Sequence, residues 1–128
     1  MKRKICFITG SRAEYGLLRK LIIMSQQDKL VNMQMIVTGS HLSKQHGYTY
    51  KEIEKDHIKI SDKVNLNLKG DSPEDVIHSM SIGLKGFSDS FHKLKPDLIV
   101  ILGDRYEIFS VAAAAMIMNI PIAHIHGG

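Results

Sequence analysis

Four apolar runs in this chain of 128 residues are long enough to be strands, and each ends in a turn rich in small residues. Ile5–Thr9 passes into Gly10-Ser11-Arg12-Ala13-Glu14, and Leu98–Leu102 passes into Gly103-Asp104-Arg105-Tyr106-Glu107. Met35–Val37 passes into Thr38-Gly39-Ser40-His41, and Ile120–Ile125 into His126-Gly127-Gly128. The first two runs show no polar alternation, the pattern of strands covered on both faces. Helical periodicity between them implies an α/β protein with a parallel sheet. In such a sheet all four turns lie on the carboxyl edge, where open α/β sheets bind ligands.

Leu17, Leu18, Leu21 and Ile22 have helical spacing, which predicts a helix over 12–26. Met33–Thr38 reads as the second strand, a short helix is expected near Tyr50–Asp56, and Ile58–Leu68 alternates enough for an edge strand. Ser72-Pro73-Glu74-Asp75 starts a helix with a capping serine, a proline at the first position and acids in the first turn. Its apolar positions, from Val76 to Leu94, recur at three- and four-residue steps and end before Lys95-Pro96. Tyr106–Met118 is apolar around most of its circumference and is expected to be largely buried.

The bulk numbers bound the function. A hydrophobic share of 44% is globular, and this length holds one domain. The net charge of +4 suits a phosphate-bearing ligand, but the lysines are scattered. With no basic patch interleaved with aromatics, nucleic acid is not the expected partner. The one cysteine, Cys6, lies in the first apolar run and is expected in the core. The run after Lys2-Arg3-Lys4 reaches Gly10 too soon for a signal peptide, and Ser110–Met118 is too short to span a membrane. A cytoplasmic protein is expected. The chain stops after a strand that should lead into another helix, as a portion of a longer protein would.

The turns themselves carry chemistry. Ser11-x-x-Glu14 is a capping box and Asp104-x-x-Glu107 a close variant, so Glu14 and Glu107 are as readily structural as functional. Arg12 and Arg105 fall at predicted first helical positions, where a cation opposes the helix dipole unless an anion offsets it. Gly10 and Gly103 permit tight turns. The pattern is neither a dinucleotide fingerprint nor a Walker loop. His41, His124 and His126 fall at strand ends, and alternation would put His124 and His126 on one face. No cysteine or paired carboxylate completes a metal site with them, and no metal or cofactor is expected. Asp104, beside Arg105, is placed to cap the helix, hold the arginine or move a proton. His46, His57, His78 and His92 need no functional account.

Taken together, the turn after Thr9, Val37–His41, Leu102–Glu107 and Ile120–Gly128 resemble, in order and over the whole chain, the hydrolysing UDP-N-acetylglucosamine 2-epimerases. The branch they look most like serves sialic acid and polysialic acid capsule synthesis. The resemblance implies a GT-B-like enzyme of two Rossmann-like domains, homo-oligomeric when complete. Residues 1–128 would be part of the N-terminal domain, without the C-terminal nucleotide-binding domain, and inactive alone. It also implies the reaction, in which UDP-N-acetylglucosamine is converted to N-acetylmannosamine and UDP through a 2-acetamidoglucal that is then hydrated. By family position, Asp104 and His126 would be catalytic. Gly10, Ser11, Arg12, Glu14, His41, Arg105, Glu107 and His124 would line the substrate, with Arg12 at the diphosphate. Many relatives carry Glu where His126 stands. Two other readings share the turns: a 2-epimerase of UDP-2,4-diacetamido-trideoxyhexose in the legionaminic acid pathway, and a non-catalytic nucleotide-sugar-binding module.

Overall fold

The computed structural model describes residues 2–127. Its strands are β1 (Arg3–Thr9), β2 (Val31–Thr38), β3 (Asp62–Val64), β4 (Leu98–Leu102) and β5 (Ile122–Ile125). The helices are α1 (Arg12–Gln27), α2 (Tyr50–Lys55), α3 (Pro73–Leu94) and α4 (Tyr106–Ile117). Two short 3-10 turns, Gly39–Leu42 and Lys44–His46, lie between β2 and α2. The strands form one sheet in the order β3-β2-β1-β4-β5 with every pairing parallel, a Rossmann-like α/β fold.

Strand period decides the two cores. Cys6 and Ile8 of β1, Ile36 of β2, and Ile99 and Ile101 of β4 pack on Phe87, Phe91, Ile108 and Val111 of α3 and α4. Their neighbours Phe7, Met35, Val37, Val100 and Leu102 face the other way, onto Tyr15, Leu18, Ile22 and Ile53 of α1 and α2. Each fully buried side chain of this kind contributes about 1.5–3 kcal/mol relative to exposure. The continuous apolar runs are thus what a sheet covered on both faces requires.

The edge strand is shorter than the run Ile58–Leu68 implies, because only three residues pair with β2. Helix α3 holds it there. Asp62 accepts from the Ser90 hydroxyl at 2.5 Å and pairs with Lys93 at 3.1 Å. At Gly86 the helix comes so close that an added Cβ would sit 2.6 Å from Val64 Cγ1. Ser72 caps α3 by accepting from the Asp75 N–H, as its sequence signature requires.

Helix α1 forms as predicted, with Tyr15, Leu18 and Ile22 in the core and Leu17 and Leu21 exposed. One expectation about a helix face is corrected. Helix α4 buries Ile108, Val111 and Ala115 but leaves Phe109, Met116 and Ile117 in solvent. Apolar content alone does not identify the buried side; the sheet does. Among the described residues no helix is long and apolar enough to cross a membrane.

Candidate functional site

The strand order places the reversal of the chain between β1 and β4, since β2 and β3 lie on one side and β5 on the other. Ligands of open α/β sheets bind at that switch point, outside the carboxyl ends of the strands. The turns after β1 and β4 are the two matching turns of the sequence, so they meet there.

Interlocking hydrogen bonds fix this edge. The Gly10 carbonyl accepts from both the N–H and the hydroxyl of Ser40, at 2.9 and 3.0 Å. The Gly10 N–H donates to Glu14 Oε1 at 2.8 Å, and the Glu14 N–H donates to Ser11 Oγ at 3.3 Å. The predicted capping box is therefore real, although Glu14 closes it on the N–H preceding the cap rather than on the cap itself. Burial pushes the Glu14 carboxyl above its usual range, with the nearby Glu107 charge adding to the push.

The second turn differs from its expected form. Arg105 is the residue flanking α4, and no side chain caps that helix. Asp104 lies one residue further out, exposed, without a hydrogen bond to any described residue. The capping-box variant Asp104-x-x-Glu107 thus does not form, and Arg105 is not at the first helical position. Instead Arg105 Nε donates to Glu107 Oε1 at 2.6 Å, with the Glu107 side chain 2% exposed. Gly103, at φ +86, turns the chain out of β4.

A cleft of about 570 Å³ opens at this edge, and Ser11, Ser40, His46, Lys69, Arg105 and Tyr106 are among its walls. Of the residues singled out from the sequence, Ser11 and Arg105 line it directly. Gly10, Glu14 and Glu107 form its buried support. Arg12, exposed, turns instead to Glu52 of α2 at 3.3 Å, beside a second groove that contains Tyr15, Arg19 and Asp56. His124 reaches back from β5, its Nε2 donating to the Gly103 carbonyl at 2.5 Å. His126 stands beyond the end of β5 at φ +57, so strand alternation ends before it and the expected shared face with His124 does not arise.

His41 has no surface to offer a ligand. It is fully buried, its Nε2 3.0 Å from the Thr9 hydroxyl and its Nδ1 2.9 Å from that of Thr49. Burial, only partly opposed by the Ser11 carbonyl, lowers its pKa from 6.5 to about 4. The folded state therefore favours the neutral imidazole. The stability this contributes is complete above pH 6.5 and is lost as the pH falls towards 4, by about 3 kcal/mol. Urea midpoints measured at pH 7.5 and pH 4 should show that loss in the wild type and not in His41→Gln.

The sequence alone does not single out Lys69 or Tyr106 for this site, and it leaves His46 without a role. The signal was available in the topology: a parallel sheet puts the β2–α2 and β3–α3 connections on the same edge as the other turns. The segment Lys69-Gly70-Asp71 reads in sequence only as the approach to a helix cap. Among the described residues no three His, Cys, Asp or Glu side chains come together as a metal site.

Comparison with known proteins places this edge in context. Residues 24–128 match the sequence model of the family described as UDP-N-acetylglucosamine 2-epimerase. The chain is 50% identical over 127 residues to a protein of Campylobacter jejuni subsp. jejuni serotype O:2 named GDP/UDP-N,N'-diacetylbacillosamine 2-epimerase (hydrolyzing), spanning 99% of this chain and 33% of that one. It is 44% identical over 126 residues to polysialic acid biosynthesis protein P7 of Escherichia coli, spanning 98% of this chain and 32% of the relative. The crystal structure of a UDP-GlcNAc 2-epimerase from Neisseria meningitidis, bound to UDP-GlcNAc, superimposes on 98% of the chain with a TM-score of 0.80 and 21% identity, over 32% of its own length. The chain thus spans about a third of the length of these relatives.

Proposed function

The chain belongs to the UDP-N-acetylglucosamine 2-epimerase family, and from that premise we propose that the complete protein is a hydrolysing 2-epimerase of a UDP-linked 2-acetamido sugar. The observation that carries this reading is the cleft at the β1–β4 switch point, walled by Arg105, Lys69 and His46. Arg105 and Lys69 outweigh Asp71, the acid on the same wall, and leave a concave edge of net positive charge that suits a diphosphate. The remainder of the protein supplies the nucleotide-binding domain, and residues 1–128 form part of the N-terminal one.

The chemistry is an elimination followed by a hydration. A base removes the proton at C2 while the C1–O bond to UDP breaks, giving UDP and a 2-acetamidoglucal. Water then adds its oxygen at C1, and an acid returns a proton to C2 on the opposite face, which inverts that centre. Asp104 and His126 are the groups assigned to the proton transfers. Both are exposed, Asp104 next to Arg105 of the cleft and His126 in the turn after β5. An imidazole can both take up and give back a proton, so it can serve either direction. Arg105 and Lys69 neutralise the charge that builds on the departing diphosphate.

UDP-N-acetylglucosamine, yielding N-acetylmannosamine, is the first substrate reading. The 50% identical Campylobacter relative, named for N,N'-diacetylbacillosamine, favours a UDP-2,4-diacetamido sugar as the second. UDP release by the complete protein, measured by coupled assay on each nucleotide sugar, separates them. Release from one substrate at least tenfold faster than from the other is expected. Tight UDP binding without release from either would identify a non-catalytic binding module instead.

A further inference from the structure

The contact beneath Arg105 has the form of a support rather than a surface ion pair. Glu107 is 2% exposed, and its Oε1 accepts from Arg105 Nε at 2.6 Å. Its other oxygen, Oε2, is buried without a hydrogen-bond partner among the described residues. A half-unpaired carboxylate in the interior is costly, and an apolar residue of similar volume would avoid the cost. The chain also makes room for it. A Cβ at Gly10 would lie 2.8 Å from Glu107 Cγ and 3.0 Å from Oε1, so the side chain occupies the space the glycine leaves. The guanidinium it holds lines the cleft, half-exposed, near the Tyr106 ring at 6.0 Å. Its Nη groups make no hydrogen bond to any described residue.

We infer that Glu107 is a positioning residue that grips Arg105 by Nε and leaves its two Nη groups free to clamp a phosphate-class anion in the cleft. Nε is the edge of the fork that a carboxylate can take without blocking the Nη pair, and a fixed planar fork loses less freedom when it binds an oxyanion. Gly10 belongs to the same device, because only a residue without Cβ leaves Glu107 its place. The assignment of that anion as the diphosphate of a nucleotide sugar rests on the proposed function; the clamp itself does not.

The test is isothermal titration of inorganic pyrophosphate, and separately of UDP, into the complete protein and its variants. Glu107→Gln keeps the shape and removes the charge, and is expected to weaken pyrophosphate binding about tenfold. Arg105→Lys is expected to weaken it similarly. In the R105K background E107Q should add less than a twofold loss, because a lysine has no Nη pair for the support to aim. A residue that merely stabilises the fold would cost the same in both backgrounds. Gly10→Ala, which keeps the charge and displaces the carboxylate, should reproduce the E107Q loss, and it carries the test if E107Q does not fold. The inference is overturned if E107Q binds pyrophosphate within twofold of the wild type, if its loss is unchanged in the R105K background, or if the wild type binds no pyrophosphate. Turnover is not read, so a protein that clamps pyrophosphate but releases no UDP would count against the proposed reaction and leave the clamp standing.

Discussion

Gly39→Ala is expected to destabilise the domain by about 2–5 kcal/mol, a large share of the stability of a domain this size. Two costs add. Gly39 sits at φ +59, where an L-residue is disfavoured by about 1–2 kcal/mol. The added Cβ would also stand 2.7 Å from the Gly10 carbonyl oxygen, a backbone atom that cannot swing aside. Overpacking of this kind costs about 1–3 kcal/mol. That carbonyl is the acceptor for both the N–H and the hydroxyl of Ser40, so relieving the clash means breaking the lock between the β1 and β2 turns. Urea denaturation of the wild type and the variant measures the difference. A change under 0.5 kcal/mol, the range of an ordinary surface substitution, would show that the turns are not locked as described.

Asp104→Asn is expected to lower kcat of the complete protein by about 10²–10⁴, the range for loss of one acid–base group. Asp104 is exposed, caps no helix and bonds no described residue. Its replacement should therefore leave the thermal midpoint unchanged while the rate falls. If the carboxylate acts in the proton transfer and not in holding substrate, KM should stay nearly constant. A variant with wild-type kcat would remove Asp104 from the reaction.

Much of this edge was legible in sequence, for reasons that differ by residue. The apolar runs gave the strands because a sheet covered on both faces leaves no room for alternation. Ser11 and Ser72 were readable as caps because the capping requirement is local. Helix α4 began where expected, but its N-cap did not follow the motif: Asp104 and Glu107 have the spacing of a capping pair, yet Glu107 turned inward to Arg105. Nothing local distinguishes those outcomes. The space beside Gly10, a residue 97 positions away, decides between them. Arg12 and Arg105 look alike in sequence and part company in space for a similar reason, since Glu52 of α2 draws Arg12 away from the cleft. His41 reads as a ligand candidate and proves to be a buried tie between Thr9 and Thr49. Lys69 and His46 carry no motif at all; only the sheet topology brings them to the site.

Elimination and re-addition across C1–C2 of a UDP-linked 2-acetamido sugar leave an isotopic record, which is read by incubating the complete protein with UDP-N-acetylglucosamine, and with the 2,4-diacetamido analogue, in deuterium oxide enriched in oxygen-18. Release of UDP is expected together with a free sugar inverted at C2, carrying one deuterium at C2 and oxygen-18 at C1. Release of an uninverted sugar that retains its original hydrogen at C2 would contradict this route, as would the absence of UDP release from either substrate.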